Sequence, residues 1–145
     1  MAGTVDLWAA CLDPAVASRL AWCLAPDEEA RARRFVSAPL HDRFVACRAF
    51  LRQLLAGYLG VGAGDVRFRY EPHGKPSLAD PHGGLRFSLA HSGALAVCAV
   101  TQEGGDIGVD VEHGFRPYYV VSRDKSGRIR ELRAAARDVP EVLLA

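Results

Sequence analysis

Two short stretches carry the residues best suited to chemistry. Phe87-Ser88-Leu89-Ala90-His91-Ser92-Gly93 holds a histidine where an apolar run gives way to a turn, and Gly105-Asp106-Ile107-Gly108-Val109-Asp110-Val111-Glu112 holds carboxylates at alternating positions. In an extended strand side chains alternate between faces. Asp110 and Glu112 therefore share a face with Cα atoms about 7 Å apart, Asp106 and Gly108 have the same parity, and Ile107, Val109 and Val111 take the other side. One apolar face that can bury and one acidic face that must meet water or a cation suit a hard divalent ion, with Mg2+ as the natural candidate. Taken alone, such alternation equally describes a half-buried strand with a solvated polar face, so the surrounding residues decide its meaning.

The elements that must position these residues follow from local patterns. Val5 to Leu12 suits a strand, and Asp13-Pro14 supplies an N-cap and a first-turn proline for a helix reaching Leu24. Pro26 starts another helix, with Asp27, Glu28 and Glu29 in its first turn and Arg31, Arg33 and Arg34 at its end; complementing the helix dipole is enough to account for these charges. From Pro39 to Leu59 the residues Phe44, Cys47, Phe50, Leu51, Leu54, Leu55 and Tyr58 recur at helical spacing, and Gly60 stands at the C-cap. Asp42, Arg43, Arg48 and Arg52 lie off or beside that stripe and fit a solvated face.

Val66 to Tyr70 alternates with period two, and Glu71-Pro72-His73-Gly74-Lys75-Pro76 is a turn. Leu85–Leu89, Leu95–Thr101 and Ile107–Glu112 form three strands, with Gln102 to Gly105 as the hairpin between the last two. The expected fold is α+β, an antiparallel sheet packed on a long helix. Beyond Glu112, Tyr118 to Val121 suits a short strand, Arg128 to Arg137 a basic helix, and Ser122 to Gly127 a loop. Residues 1–112 therefore form the expected domain, and 113–145 a divergent tail.

With 145 residues, half of them hydrophobic, one core is within reach. A net charge of +1 provides no overall field for nucleic acid or an acidic membrane, so any anion site must be local. The opening residues lack a basic region followed by a long apolar stretch, and no window approaches a membrane span; a soluble cytoplasmic protein is the expectation. Cys11, Cys23, Cys47 and Cys98 are too widely spaced for a zinc motif and fit reduced, mostly buried thiols.

In order and approximate spacing, Arg33-Arg34-Phe35, Arg43, Arg52, Gly74-Lys75-Pro76, the His91 segment and Gly108-Val109-Asp110-Val111-Glu112 resemble the Sfp-type 4′-phosphopantetheinyl transferases. The resemblance covers about Leu24 to Glu112 and corresponds to the first of that family's two pseudo-symmetric halves. It implies transfer of phosphopantetheine from coenzyme A to a serine of an acyl or peptidyl carrier protein. It also implies Mg2+ on Asp110 and Glu112, and phosphate contacts from Lys75, His91, Arg31 and Arg43. His91, Asp110 and Glu112 then form the catalytic set, with Arg52 as structural support. Family members also carry a later Trp-x-x-Lys-Glu motif, whereas the tryptophans here, Trp8 and Trp22, lie upstream. The expectation is an enzyme truncated or frame-disrupted after about Glu112, or a degenerate relative. The alternative is a non-catalytic module binding coenzyme A or nucleotide, or a half-enzyme needing a partner chain. A missing half also predicts self-association through exposed apolar surface.

Overall fold

The computed structural model describes residues 5–80, 83–102, 106–111, 117–123 and 129–135, the strands beyond Val109 by their backbone. The chain folds as two compact units, one formed by Ala10–Val66 and the other by the residues leading to Ala9 together with the chain from Arg67. The architecture is α+β, with antiparallel sheets and a long helix.

In the helical unit, local capping sets the boundaries. The Asp13 carboxylate accepts from the Ala15 amide at 2.8 Å, and Pro14 opens α1 (Pro14–Leu20), which runs into a 3₁₀ turn at Ala21–Cys23. Helix α2 spans Pro26–Ala32. Ser37 caps α3 (Ala38–Leu59) by accepting from the Leu40 amide at 3.2 Å, and Gly60 ends it in the left-handed region at φ 68°. Phe50, Leu51 and Leu55 are fully buried on α3. Arg48 and Arg52 are buried too, contrary to the solvated face that helical spacing suggested. They share one buried carboxylate: Arg52 Nε donates to Glu28 Oε1 at 2.6 Å, and Arg48 Nε lies 3.4 Å from Glu28 Oε2. Glu28 is therefore more than a capping residue, although it also accepts from the Ala25 amide at 2.8 Å. The structural role expected of Arg52 is what its contacts show.

The other unit is built on strands. β1 (Asp6–Cys11), β5 (Leu95–Thr101) and β4 (Arg86–Ser92) form one sheet in the order β1-β5-β4. β2 (Phe68–Tyr70) and β3 (Pro76–Leu78) form an antiparallel ribbon with Phe68 opposite Leu78. β6 (Asp106–Val111), β7 (Pro117–Arg123) and β8 (Ile129–Ala135) form a second three-stranded antiparallel sheet.

The central strand β5 is buried from Ala96 through Thr101. Val97 packs with Ala9, Leu7, Ala90 and Val109, and Ala99 with Ile107, Val5 and Leu7. The apolar parity predicted for Ile107 and Val109 thus holds.

Two expectations are corrected. β5 and β6 are not paired as a hairpin: β5 has its two edges occupied by β1 and β4, and it connects to β4 through a turn where Gly93 takes φ 58°; residues 103–105 of the expected turn lie outside the described residues. β6 instead pairs with β7 from Asp106↔Arg123 to Val111↔Tyr118. The basic segment expected to be helical is strand β8, in unbroken register with β7 from Pro117↔Ala135 to Arg123↔Ile129. That ladder overrides the helix propensity of Arg-Glu-Leu-Arg-Ala-Ala. The strand expected around Tyr118 to Val121 is present as β7 and extends through Ser122 and Arg123, the first residues of the expected loop.

Cys23, Cys47 and Cys98 are buried free thiols, as expected. Burial pushes the Cys47 thiol up to about 11, partly opposed by the neighbouring Arg48 charge. Among the described residues no helix is long and apolar enough to cross a membrane.

Candidate functional site

The β2–β3 hairpin borders a concavity of the strand unit. Its turn closes by hydrogen bonds from the Glu71 amide to the Lys75 carbonyl at 2.9 Å and from the Gly74 amide to the Glu71 carbonyl at 2.8 Å. Gly74 sits at φ 91°, a conformation that side chains rarely adopt, so glycine is what lets the chain present Lys75 beside Pro76. Behind this turn lies a cleft of about 420 Å³. Buried Leu78, Leu85, Phe87 and Ile107 form its apolar floor, and Arg69, Glu71, His73, Lys75 and Arg86 its polar rim. Phe68 meets Phe87 edge to face at 6.0 Å, tying the ribbon to β4.

Three permanent cations against one carboxylate favour an anionic ligand, and the apolar floor suits a flat or hydrocarbon portion of it. Lys75 is exposed and has no ion-pair partner among the described residues, which leaves its ammonium free for a phosphate.

The other predicted strand residues sit on neighbouring elements. His91 is exposed near the end of β4, opposite Ala96, and strand alternation gives it the parity of Phe87 in the cleft floor. The Val109 amide donates to the buried Ser88 hydroxyl at 3.2 Å, holding β6 against β4 one residue before Asp110. Asp110 is opposite Tyr119 in the β6–β7 ladder, while Glu112 lies outside the described residues. Lys75, the strand of His91 and the strand of Asp110 are therefore neighbours in one unit.

A family model described as 4′-phosphopantetheinyl transferase, N-terminal, matches residues 9–103. The chain belongs to the 4′-phosphopantetheinyl transferase family. It is 46% identical over 113 residues to the 4′-phosphopantetheinyl transferase HetI of Nostoc sp., covering 75% of this chain and 47% of that protein. A protein of Synechocystis sp., whose name assigns it provisionally to the same activity, is 35% identical over 99 residues, 67% of this chain and 40% of that protein. A shorter match of 45 residues, 42% identical and 31% of this chain, covers 5% of DNA topoisomerase 1 from Streptomyces coelicolor. The chain thus spans less than half the length of the curated transferases it matches.

The remaining predicted phosphate contacts of this transferase-family chain, Arg31 on α2 and Arg43 on α3, belong to the helical unit, and both are exposed. Arg31 places its Cζ over the Phe44 ring, 5.3 Å from the centroid. Two cleft residues, Arg69 and Arg86, were not anticipated. The alternation that assigned Val66 to Tyr70 to a strand already separated Arg69 from the face of Phe68, and that signal was available for Arg69; Arg86, at the start of β4, had no comparable mark.

Proposed function

We propose that this chain acts in 4′-phosphopantetheinyl transfer, binding coenzyme A and delivering its phosphopantetheine to a serine of an acyl or peptidyl carrier protein. The observation that carries the reading is the cationic cleft at Gly74-Lys75-Pro76, floored by residues of the strands that bear His91 and Asp110. The family match supports the same reading.

In this mechanism Lys75 binds a coenzyme A phosphate through its compact ammonium, and His91 donates a ring N–H to a phosphate oxygen. Arg31 and Arg43 bind further phosphate oxygens of the nucleotide. The carrier serine oxygen forms a bond to the phosphorus bearing the pantetheine arm, and the bond to the 3′,5′-adenosine diphosphate leaving group breaks. Asp106 and Asp110, opposite in sequence parity to the packed Ile107 and Val109, are residues of the carboxylate type a hard cation requires. Asp110 and Glu112 are the residues proposed to hold it. Bound there, Mg2+ supplies neutralisation of the pyrophosphate charge and polarisation of the phosphoryl group. Residues 1–112 are the transferase half in this reading and 113–145 a divergent tail; the cytoplasm, where coenzyme A and apo carrier proteins meet, is the proposed location.

Intact-mass analysis of an apo carrier protein incubated with this chain, coenzyme A and Mg2+ tests the proposal. A phosphopantetheine mass increment that disappears with Asp110→Ala is expected. The cationic cleft also supports a second reading, a module that binds coenzyme A and needs a partner chain for transfer. Coenzyme A binding without a mass increment would select that reading, and absence of both would sink the proposal.

A further inference from the structure

Arg31 is an exposed arginine at the end of α2, and it has no carboxylate partner among the described residues. Its guanidinium is nevertheless placed, with Cζ over the ring of Phe44 at 5.3 Å from the centroid. Arg48, one turn further along α3, also lies 5.3 Å from that centroid. Arg48 is itself fixed from behind, because its Nε sits 3.4 Å from the Glu28 carboxylate in a buried cluster. Phe35 packs on the same ring, with centroids 5.4 Å apart and planes tilted by 37°. Phe44 is therefore a braced surface, held by Phe35 and by an arginine anchored beside the Glu28 carboxylate, with Arg31 resting on it.

The difference between an aromatic and a carboxylate partner is chemical. A carboxylate would engage the N–H groups of Arg31 and cancel its charge. An aromatic ring attracts the guanidinium through its quadrupole, restrains a long side chain, and leaves both the charge and the N–H fork for an anion. We propose that Phe44 is a positioning residue that aims Arg31 at a phosphate group of the ligand. This inference rests on the reading of Arg31 as a coenzyme A contact.

The test is isothermal titration of coenzyme A into the full chain and into Arg31→Ala, Phe44→Met, Phe44→Tyr and the double variant Arg31→Ala/Phe44→Met. Methionine keeps an unbranched apolar side chain suited to a helix and removes the ring. Phe44→Met is expected to weaken binding about threefold, the scale of a partly exposed cation–π contact. Arg31→Ala should weaken it about tenfold, as expected for a charge-assisted phosphate contact. Adding Phe44→Met to Arg31→Ala should change nothing further, and Phe44→Tyr, which retains a ring, should bind like the parent.

Equal weakening by Phe44→Met in both backgrounds would overturn the proposal, because a structural effect does not depend on Arg31. So would wild-type affinity in Phe44→Met with a lowered melting temperature. Should that variant fail to fold, the parent chain still decides: ring-current upfield shifts of the Arg31 Hδ protons support the placement, and ordinary shifts overturn it. Failure of the underlying readings has different signatures. Unchanged affinity in Arg31→Ala removes the Arg31 assignment and this inference with it, whereas no coenzyme A binding by the parent chain removes the proposed function as a whole.

Discussion

Replacing Arg52 with methionine should cost the helical unit about 4 kcal/mol. The buried contacts of Arg52 include Nε to Glu28 Oε1 at 2.6 Å, Nη1 to the Val66 carbonyl at 2.7 Å, and Nη1 to the Ala63 carbonyl at 3.0 Å. Methionine keeps most of the length and loses every donor. The Glu28 carboxylate, 1% exposed, then retains Arg48 at 3.4 Å and the Ala25 amide as its partners. Breaking a buried ion pair from one side costs about 3–5 kcal/mol. The Ala63 carbonyl still meets the Val66 amide at 3.4 Å, so Val66 is the carbonyl left wanting, for about 1 kcal/mol more. Extra apolar burial by methionine returns about 1 kcal/mol.

Against a total stability of about 5–15 kcal/mol, that loss shifts the urea midpoint far enough to read by far-UV circular dichroism. The triple variant Glu28→Leu/Arg48→Met/Arg52→Met removes all the charges together and should be more stable than Arg52→Met alone, because it buries no ion at all, whereas the single variant leaves Glu28 with only the 3.4 Å Arg48 contact and the Ala25 amide. A cost below about 1 kcal/mol for Arg52→Met, or a triple variant less stable than the single one, would refute the view that this cluster pins the 3₁₀ turn at Ala63–Asp65 to α3.

Cys47, whose thiol burial pushes from an ordinary 9.0 to about 11, should resist Ellman's reagent at pH 8 in the folded chain and react once urea is added; rapid native reaction would contradict its placement. Its folded form holds the proton more tightly than its unfolded form. Stability is therefore fully present below pH 9.0 and falls by roughly 3 kcal/mol in total as pH rises to about 11, which alkaline urea titrations of Cys47→Ala against the parent would isolate. Lys75→Ala should weaken coenzyme A binding about tenfold in low salt and by less in high salt, because an exposed ammonium acts through a screened field. Affinity unchanged in both buffers would remove Lys75 from the site.

What the sequence revealed was local. The Asp13 cap, the Pro14 start, the stripe from Phe44 to Leu55 and the Gly60 stop each depend on residues within a turn of one another, and each appears where expected. The same holds for Gly74-Lys75-Pro76, where glycine and proline force a turn that exposes a lysine. Strand partnership is not local. Nothing in Leu95 to Thr101 says that β1 and β4 will occupy both its edges, and nothing in Ile107 to Val111 says that its ladder partner is β7. Arg69 and Arg86 reach the cleft from elements separated by the β2–β3 turn and a loop, so their convergence is a property of the fold.

The arginines show the same limit within a single pair of helices. Arg31, Arg43, Arg48 and Arg52 all lie at polar-looking positions, yet Arg31 and Arg43 are exposed and Arg48 and Arg52 are buried. The deciding partner of Arg52 is Glu28, 24 residues earlier, and one carboxylate serves two guanidiniums. A signal was present in principle: Phe44, Arg48, Arg52 and Leu55 follow one another at helical spacing, which places the two arginines on a line that begins and ends in apolar residues. Arginines on such a line need a buried anion, and Glu28, in the first turn of the preceding helix, supplies one carboxylate between them: Oε1 accepts from Arg52, and Oε2 lies 3.4 Å from Arg48 without a hydrogen bond. Arg48, anchored beside Glu28, lies against the Phe44 ring on which Arg31 also rests, each guanidinium 5.3 Å from its centroid. Burial of one arginine and exposure of the other are thus linked steps: the first builds the surface on which the second is presented to a ligand.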